Sequence, residues 1–150
     1  MGNSSDQDAA AEKRYEILLD IIDSLSSTFE HPTSALLHEY ILLCRLHASE
    51  FRELRHYDFR AYIRGPFSEQ LRTDIEILRQ RGLIHFDEGR LTLSNKGKEL
   101  IQELRKKRDP QSVKETCAKV LADFRTPHAI SQGIYPYLKK AQLGEALSLP

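Results

Sequence analysis

No charge of either sign is in excess in this 150-residue chain, where 22 lysines and arginines meet 22 aspartates and glutamates. The whole chain therefore offers no electrostatic case for a nucleic acid. Cysteine is scarce, with only Cys44 and Cys117. Two cysteines in apolar helical patterns, without secretory features, do not make a disulfide framework and read as small buried hydrophobes. No apolar run reaches the ~20 residues of a membrane span, and residues 1–10 are polar and acidic, unlike a signal or transit peptide. A cytoplasmic, soluble protein with no membrane partner is expected. Internal repeats and low-complexity segments are missing.

Catalytic patterns are missing as well. There is no Gly-x-Ser-x-Gly elbow, and Asn95-Lys96-Gly97-Lys98 lacks the upstream glycine of a phosphate loop. Ser68 is accounted for as a helix cap. Cys44 and His47 lie one turn apart, but His31, His38, His56, His85 and His128 are scattered without zinc-finger spacing. The chain is therefore not expected to be an enzyme, and no catalytic residue, metal site or cofactor is assigned.

The information is concentrated in residues 57–104. Tyr57, Phe59, Ala61 and Ile63 alternate with Asp58, Arg60, Tyr62 and Arg64, the period-2 pattern of a half-buried strand. Gly65 and Pro66 are expected to end that strand, since Pro66 cannot donate to a ladder. Phe67 is expected to pin the start of the next helix, and Ser68 to cap it. Leu71, Ile75 and Leu78 then mark one face of a helix over 68–81, closed by Gly82. Short strands at 83–86 and 90–93 flank the turn Asp87-Glu88-Gly89, and Ser94 caps a helix carrying Leu100, Ile101 and Leu104.

That order resembles a winged helix-turn-helix, the half after Gly82 being similar to MarR-type regulators. Residues 34–104, with Gly65-Pro66-Phe67-Ser68 as their sharpest part, resemble more closely the Panacea-type domains of phage and mobile-element antitoxins and small bacterial proteins related to them. The resemblance implies a mainly α fold with a small antiparallel β-sheet, a winged-helix core and flanking helices at both ends. It also implies a DNA-binding transcriptional or antitoxin-type regulator acting as a homodimer.

The remaining segments frame this region. Residues 1–7 are expected to be disordered. A first helix from Asp8 carries Ile17, Leu18, Ile21, Ile22 and Leu25 and is expected to break at Ser26-Ser27-Thr28. The second, opening at Pro32-Thr33-Ser34, is apolar almost all round and therefore central. With residues 8–108 as the winged-helix domain, 109–150 form a C-terminal extension. There Asp109-Pro110 starts a helix with the stripe Val113, Cys117, Val120, Leu121 and Phe124, which Thr126-Pro127 stops. Ile130, Ile134, Tyr135, Tyr137 and Leu138 follow around Gly133 and Pro136. This extension is a candidate for dimerisation or partner docking, with packing onto the first two helices as the alternative.

Charge is uneven along the chain. Residues 57–108 hold twelve basic and eight acidic side chains, against five and ten in 1–56. The DNA-binding candidates are Arg60, Arg64, Gln70, Arg72, Thr73, Arg79, Arg90, Lys96 and Lys98, among which Arg72 and Gln70 are suited to bidentate base readout. Helical pairs such as Glu69–Arg72 make the competing assignment a solvated face, and two acids at the tip make the wing a poor fit to DNA. Should the fold hold a protein instead, the candidates for contact are Tyr62, Phe67, Ile77, Tyr135 and Tyr137.

Overall fold

The computed structural model describes residues 3–30, 32–107 and 112–150. Among them are six α-helices and two antiparallel two-stranded hairpins, the expected mainly α class with a small antiparallel β component. Helix α1 (Asn3–Thr28) buries Ile17, Leu18, Leu19, Ile21, Ile22 and Leu25. It begins at Asn3, inside the segment expected to be disordered, and runs on into Ala9, Ala10 and Ala11, which favour helix. It ends at Thr28, within the Ser26-Ser27-Thr28 segment where a break was expected. Ser27 Oγ donates to the Asp23 carbonyl at 2.9 Å and Thr28 Oγ1 to that of Ser24 at 3.2 Å, so both hydroxyls are satisfied within the helix. Helix α2 (Ser34–His47), capped by Thr33 Oγ1 accepting from Leu36 N–H at 3.1 Å, is the central helix its composition predicts.

A 3₁₀ turn (Arg52–His56) leads to Tyr57, and here the structure corrects the expected strand. Tyr57, Phe59 and Ala61 are buried as the alternation requires, but β1 spans only Arg60–Tyr62, and Ile63 is 88% exposed. Gly65 and Pro66 do not terminate pairing. The chain turns at Ile63 and Arg64 and returns as β2 (Gly65–Phe67), with Arg60 opposite Phe67, Ala61 opposite Pro66 and Tyr62 opposite Gly65. Gly65 has φ +119°, which side chains disfavour. Pro66 is tolerated because its opposite, Ala61, directs both backbone groups away from β2. Ala61 N–H donates to Glu145 O at 3.0 Å, and its carbonyl accepts from Gly144 N–H. The C-terminal segment thus lies along β1 as a third, irregular strand, where Leu147 N–H also donates to Phe59 O at 3.0 Å.

Helix α3 (Glu69–Gln80) follows, with Ser68 Oγ accepting from Leu71 N–H at 3.2 Å as expected, and buries Leu71, Asp74, Ile75 and Leu78. Strands β3 (Ile84–Asp87) and β4 (Arg90–Leu93) form a hairpin whose turn places Glu88 at φ 52° and Gly89 at φ 77°, the paired positive angles of a type I′ turn. Residues 32–34 lie against β4, Leu91 N–H donating to Pro32 O at 2.8 Å and Ser34 N–H to Gly89 O at 2.9 Å. Helix α4 (Asn95–Lys107) is capped by Ser94, whose Oγ accepts from Gly97 N–H at 3.0 Å.

The expected start at Asp109-Pro110 lies outside the described residues. Helix α5 (Ser112–Asp123) packs on α1 and α2, and α6 (Pro127–Lys139) on α2. Helix α5 ends at Asp123, ahead of Thr126-Pro127 as expected, and the same pair opens the next helix: Thr126 Oγ1 accepts from Ala129 N–H at 3.0 Å, and Pro127 occupies the first turn, where its missing N–H costs nothing. Helix α6 runs through Gly133 and Pro136. Val113, Cys117, Val120, Ile130, Ile134 and Leu147 join one core with α1 and α2, so the C-terminal helices pack within the chain.

Candidate interaction surface around α3

The inner side of α3 is fixed by an ionic contact. Asp74 accepts two hydrogen bonds from Arg14 of α1 and a third from the Tyr57 hydroxyl at 2.7 Å. With that side locked, Glu69, Arg72, Thr73, Glu76, Arg79 and Gln80 face outward.

These outward charges are satisfied among themselves. Arg72 Nη2 lies 3.0 Å from Glu69 Oε2, and Arg79 Nε donates to Glu76 Oε2 at 2.9 Å. The Arg79 bonds hold the Glu76 carboxyl below its usual range. One turn on, Arg81 grips Glu12 of α1 through Nη1 at 2.9 Å and Nη2 at 2.7 Å. Gln70, expected to face outward for base readout, is half-buried instead. Its Oε1 accepts from Asp58 N–H at 3.2 Å and from Ser68 Oγ at 3.0 Å, which ties it to the start of the helix. Thr73 is exposed and donates to Glu69 O at 3.0 Å.

The other basic candidates are dispersed. Arg64 borders a hollow with Glu69 at the N-terminal end of α3, and Lys96 Nζ donates to Arg81 O at 3.1 Å at its C-terminal end. Arg60 Nη1 donates to Gly144 O at 3.0 Å, beside the C-terminal segment. Arg90 borders a different hollow with Phe29, Pro32 and Pro127. Lys98 is exposed on α4. Arg105, in the last turn of α4, binds Asp20 Oδ1 at 2.5 Å and Asp23 Oδ2 at 2.8 Å, joining α4 to α1.

Apolar groups do converge. A hollow of about 460 Å³ is lined by Ala35, His38, Tyr62, Pro66 and Phe67, and a second of about 650 Å³ by Phe67, Ile77 and Phe86 with the outward side chains of α3. They share Ser34 and Phe67, so a single groove runs from the first hairpin across α3 to β3. Tyr62 is 44% and Phe86 42% exposed along it. Phe67 anchors the middle, stacked on His38 at 4.9 Å between ring centroids and met edge-on by Tyr62 at 5.7 Å. Burial pushes the His38 imidazole below its ordinary value; its Nδ1 lies 2.9 Å from Ser34 O and its Nε2 3.3 Å from Ser68 O.

Three of the expected partner contacts, Tyr62, Phe67 and Ile77, thus share this groove. Tyr135, 54% exposed on α6, and the half-buried Tyr137 line neither hollow. Sequence reasoning missed Phe86 and His38. Phe86 was legible as an aromatic residue beside the acidic turn, whereas the His38 stack needs α2 and β2 in register. Among the described residues no group of three His, Cys, Asp or Glu side chains could hold a metal ion, and no helix is long and apolar enough to cross a membrane. No protein-family model, curated protein or solved structure matches the chain.

Proposed function

We propose that this chain is a protein-interaction module on a winged-helix frame, with β2, α3 and β3 as its binding face. The order α1, residues 32–34, α2, α3, β3, β4, with 32–34 laid against β4, supports the frame. The observation that carries the function is the groove from Tyr62 through Phe67 to Phe86. Its lining is largely apolar, and the helix beside it has its arginines neutralised by its own glutamates. A surface meant for phosphate leaves cations unpaired, because release of counterions by free Lys and Arg supplies most of the affinity. A surface meant for protein places aromatic and aliphatic anchors in hollows ringed by satisfied polar groups.

The test is a photocrosslinking amino acid placed at Ile77 in the cell, with the exposed Gln102 of α4 as control. Protease-sensitive adducts at 77 and none at 102 are expected. Nuclease-sensitive adducts at 77, or equal capture at both positions, would refute the proposal.

A dimeric DNA-binding regulator is the second reading. It is favoured by Arg64 and Lys96 standing at the two ends of α3. It requires binding to generic duplex DNA that weakens steeply with salt and falls in an Arg72→Ala, Arg79→Ala variant.

A further inference from the structure

The outward charges of α3 follow an order that narrows the choice of partner. From the N-terminus they run Glu69, Arg72, Glu76, Arg79, each acid paired with the base three residues on. Consider a second copy of the helix laid antiparallel across a two-fold axis at the level of Asp74. Arg79 of one copy then stands opposite Glu69 of the other, and Glu76 opposite Arg72, because both pairs are centred on the same residue. No like charges meet. A parallel, in-register arrangement sets every charge against its like. The row is therefore self-complementary for one geometry, the isologous contact of a two-fold dimer.

Beside the row lies the hollow of Phe67, Ile77 and Phe86, which a two-fold contact buries twice. Exposed ion pairs contribute little affinity but set register and reject wrong partners, so the apolar groups are the anchors and the charges the guide. The chain's balance of 22 basic and 22 acidic residues leaves no net repulsion between copies. We infer that the partner of this face is a second copy of the same chain, joined through antiparallel α3 helices and the adjoining hollow. This rests on the protein-binding reading of the face. It also moves self-association away from the C-terminal helices, whose apolar stripes are spent inside the subunit.

The test measures the mass of the full chain by sedimentation equilibrium from micromolar to millimolar concentration. Twice the chain mass of 17.3 kDa is expected. Arg79→Glu and Glu69→Arg each bring like charges together across the axis and give monomers. Their combination restores opposite charges across it and recovers the dimer. Within one helix the combination gives both i, i+3 pairs like charges, so a role confined to the helix makes it the least stable of the three by thermal melting and rescues nothing. Ile77→Lys, which leaves the charge row intact, gives a monomer. A wild-type monomer throughout, or a folded double variant that stays monomeric, overturns the proposal. Should the double variant unfold, a dimer undiminished by Ile77→Lys overturns it instead. If the wild type is monomeric while Ile77 still crosslinks to protein, the second copy is refuted and the binding function stands; if neither occurs, both fall.

Discussion

Arg14 on α1 holds the carboxylate of Asp74 on α3 in a two-pronged grip, Nε to Oδ2 at 2.6 Å and Nη2 to Oδ1 at 3.2 Å. Asp74 is only 2% exposed, and the Tyr57 hydroxyl donates to the same Oδ2. One buried charge thus fixes the helix whose other side carries the proposed function. Arg14→Met leaves that carboxylate buried with one side-chain donor, a change that typically costs ~3–5 kcal/mol. Urea unfolding at neutral pH measures it. Removing both charges, Arg14→Met with Asp74→Leu, is expected to cost less than Arg14→Met alone, because no uncompensated charge remains.

His38 makes the groove sensitive to acid. Burial keeps its imidazole below the ordinary value, while the unfolded chain takes up the proton near pH ~6.5. Below that pH the unfolded state binds more protons, so the His38 contribution is fully present above ~6.5 and is lost as pH falls from there through the lower folded value. The neighbouring Glu39 carboxyl is raised by burial and works in the opposite direction. Comparison with His38→Phe therefore isolates the histidine. Between pH 7 and pH 5 the wild-type urea midpoint is expected to fall further than that of the variant, which keeps the stack on Phe67 without the titrating ring. Equal shifts in the two proteins would show that the histidine is not responsible.

Gly97 sits in the first turn of α4, where a Cβ would lie 2.1 Å from the backbone oxygen of Leu83. In an open helix position Gly→Ala stabilises by roughly 0.5–1 kcal/mol; here backbone, not a flexible side chain, has to give way. Gly97→Ala is expected to destabilise by ~1–3 kcal/mol, in the range of overpacked cores. It should also weaken the Ser94 cap, whose Oγ both accepts from Gly97 N–H and donates to Gly82 O at 2.6 Å. A thermal melt gives the sign, and faster exchange of the Gly97-site amide locates the strain.

The parts of the fold written in local chemistry were legible. Ser68 and Ser94 cap the helices they were expected to cap, Glu88-Gly89 turns the second hairpin, and Leu71, Ile75 and Leu78 face inward. Errors arose where a residue's usual meaning depends on a distant partner. Pro66 reads as a strand breaker until Ala61 is seen bonding to the C-terminal segment on its other side. Of the surface, Tyr62, Phe67 and Ile77 were found by residue type, but the pairing of Arg72 and Arg79 decides what the helix offers, and spacing alone only raised it as an alternative.

The C-terminal segment gives a last test of how the first hairpin is held. A two-stranded hairpin is marginal in water on its own, and β1–β2 is covered on its outer edge by residues 144–147. Leu147 is 9% exposed there, and burial of a leucine contributes roughly 1.5–3 kcal/mol. Removing residues 144–150 is therefore expected to lower stability by about that amount. The more specific readout is the amide of Ala61, which faces away from β2 and has Glu145 O as its acceptor at 3.0 Å. In the full chain it should exchange slowly, and in the truncated chain rapidly, while amides in the buried middle of α2 keep their protection. An Ala61 amide equally slow in both chains would mean that something other than the C-terminal segment shields the edge of β1.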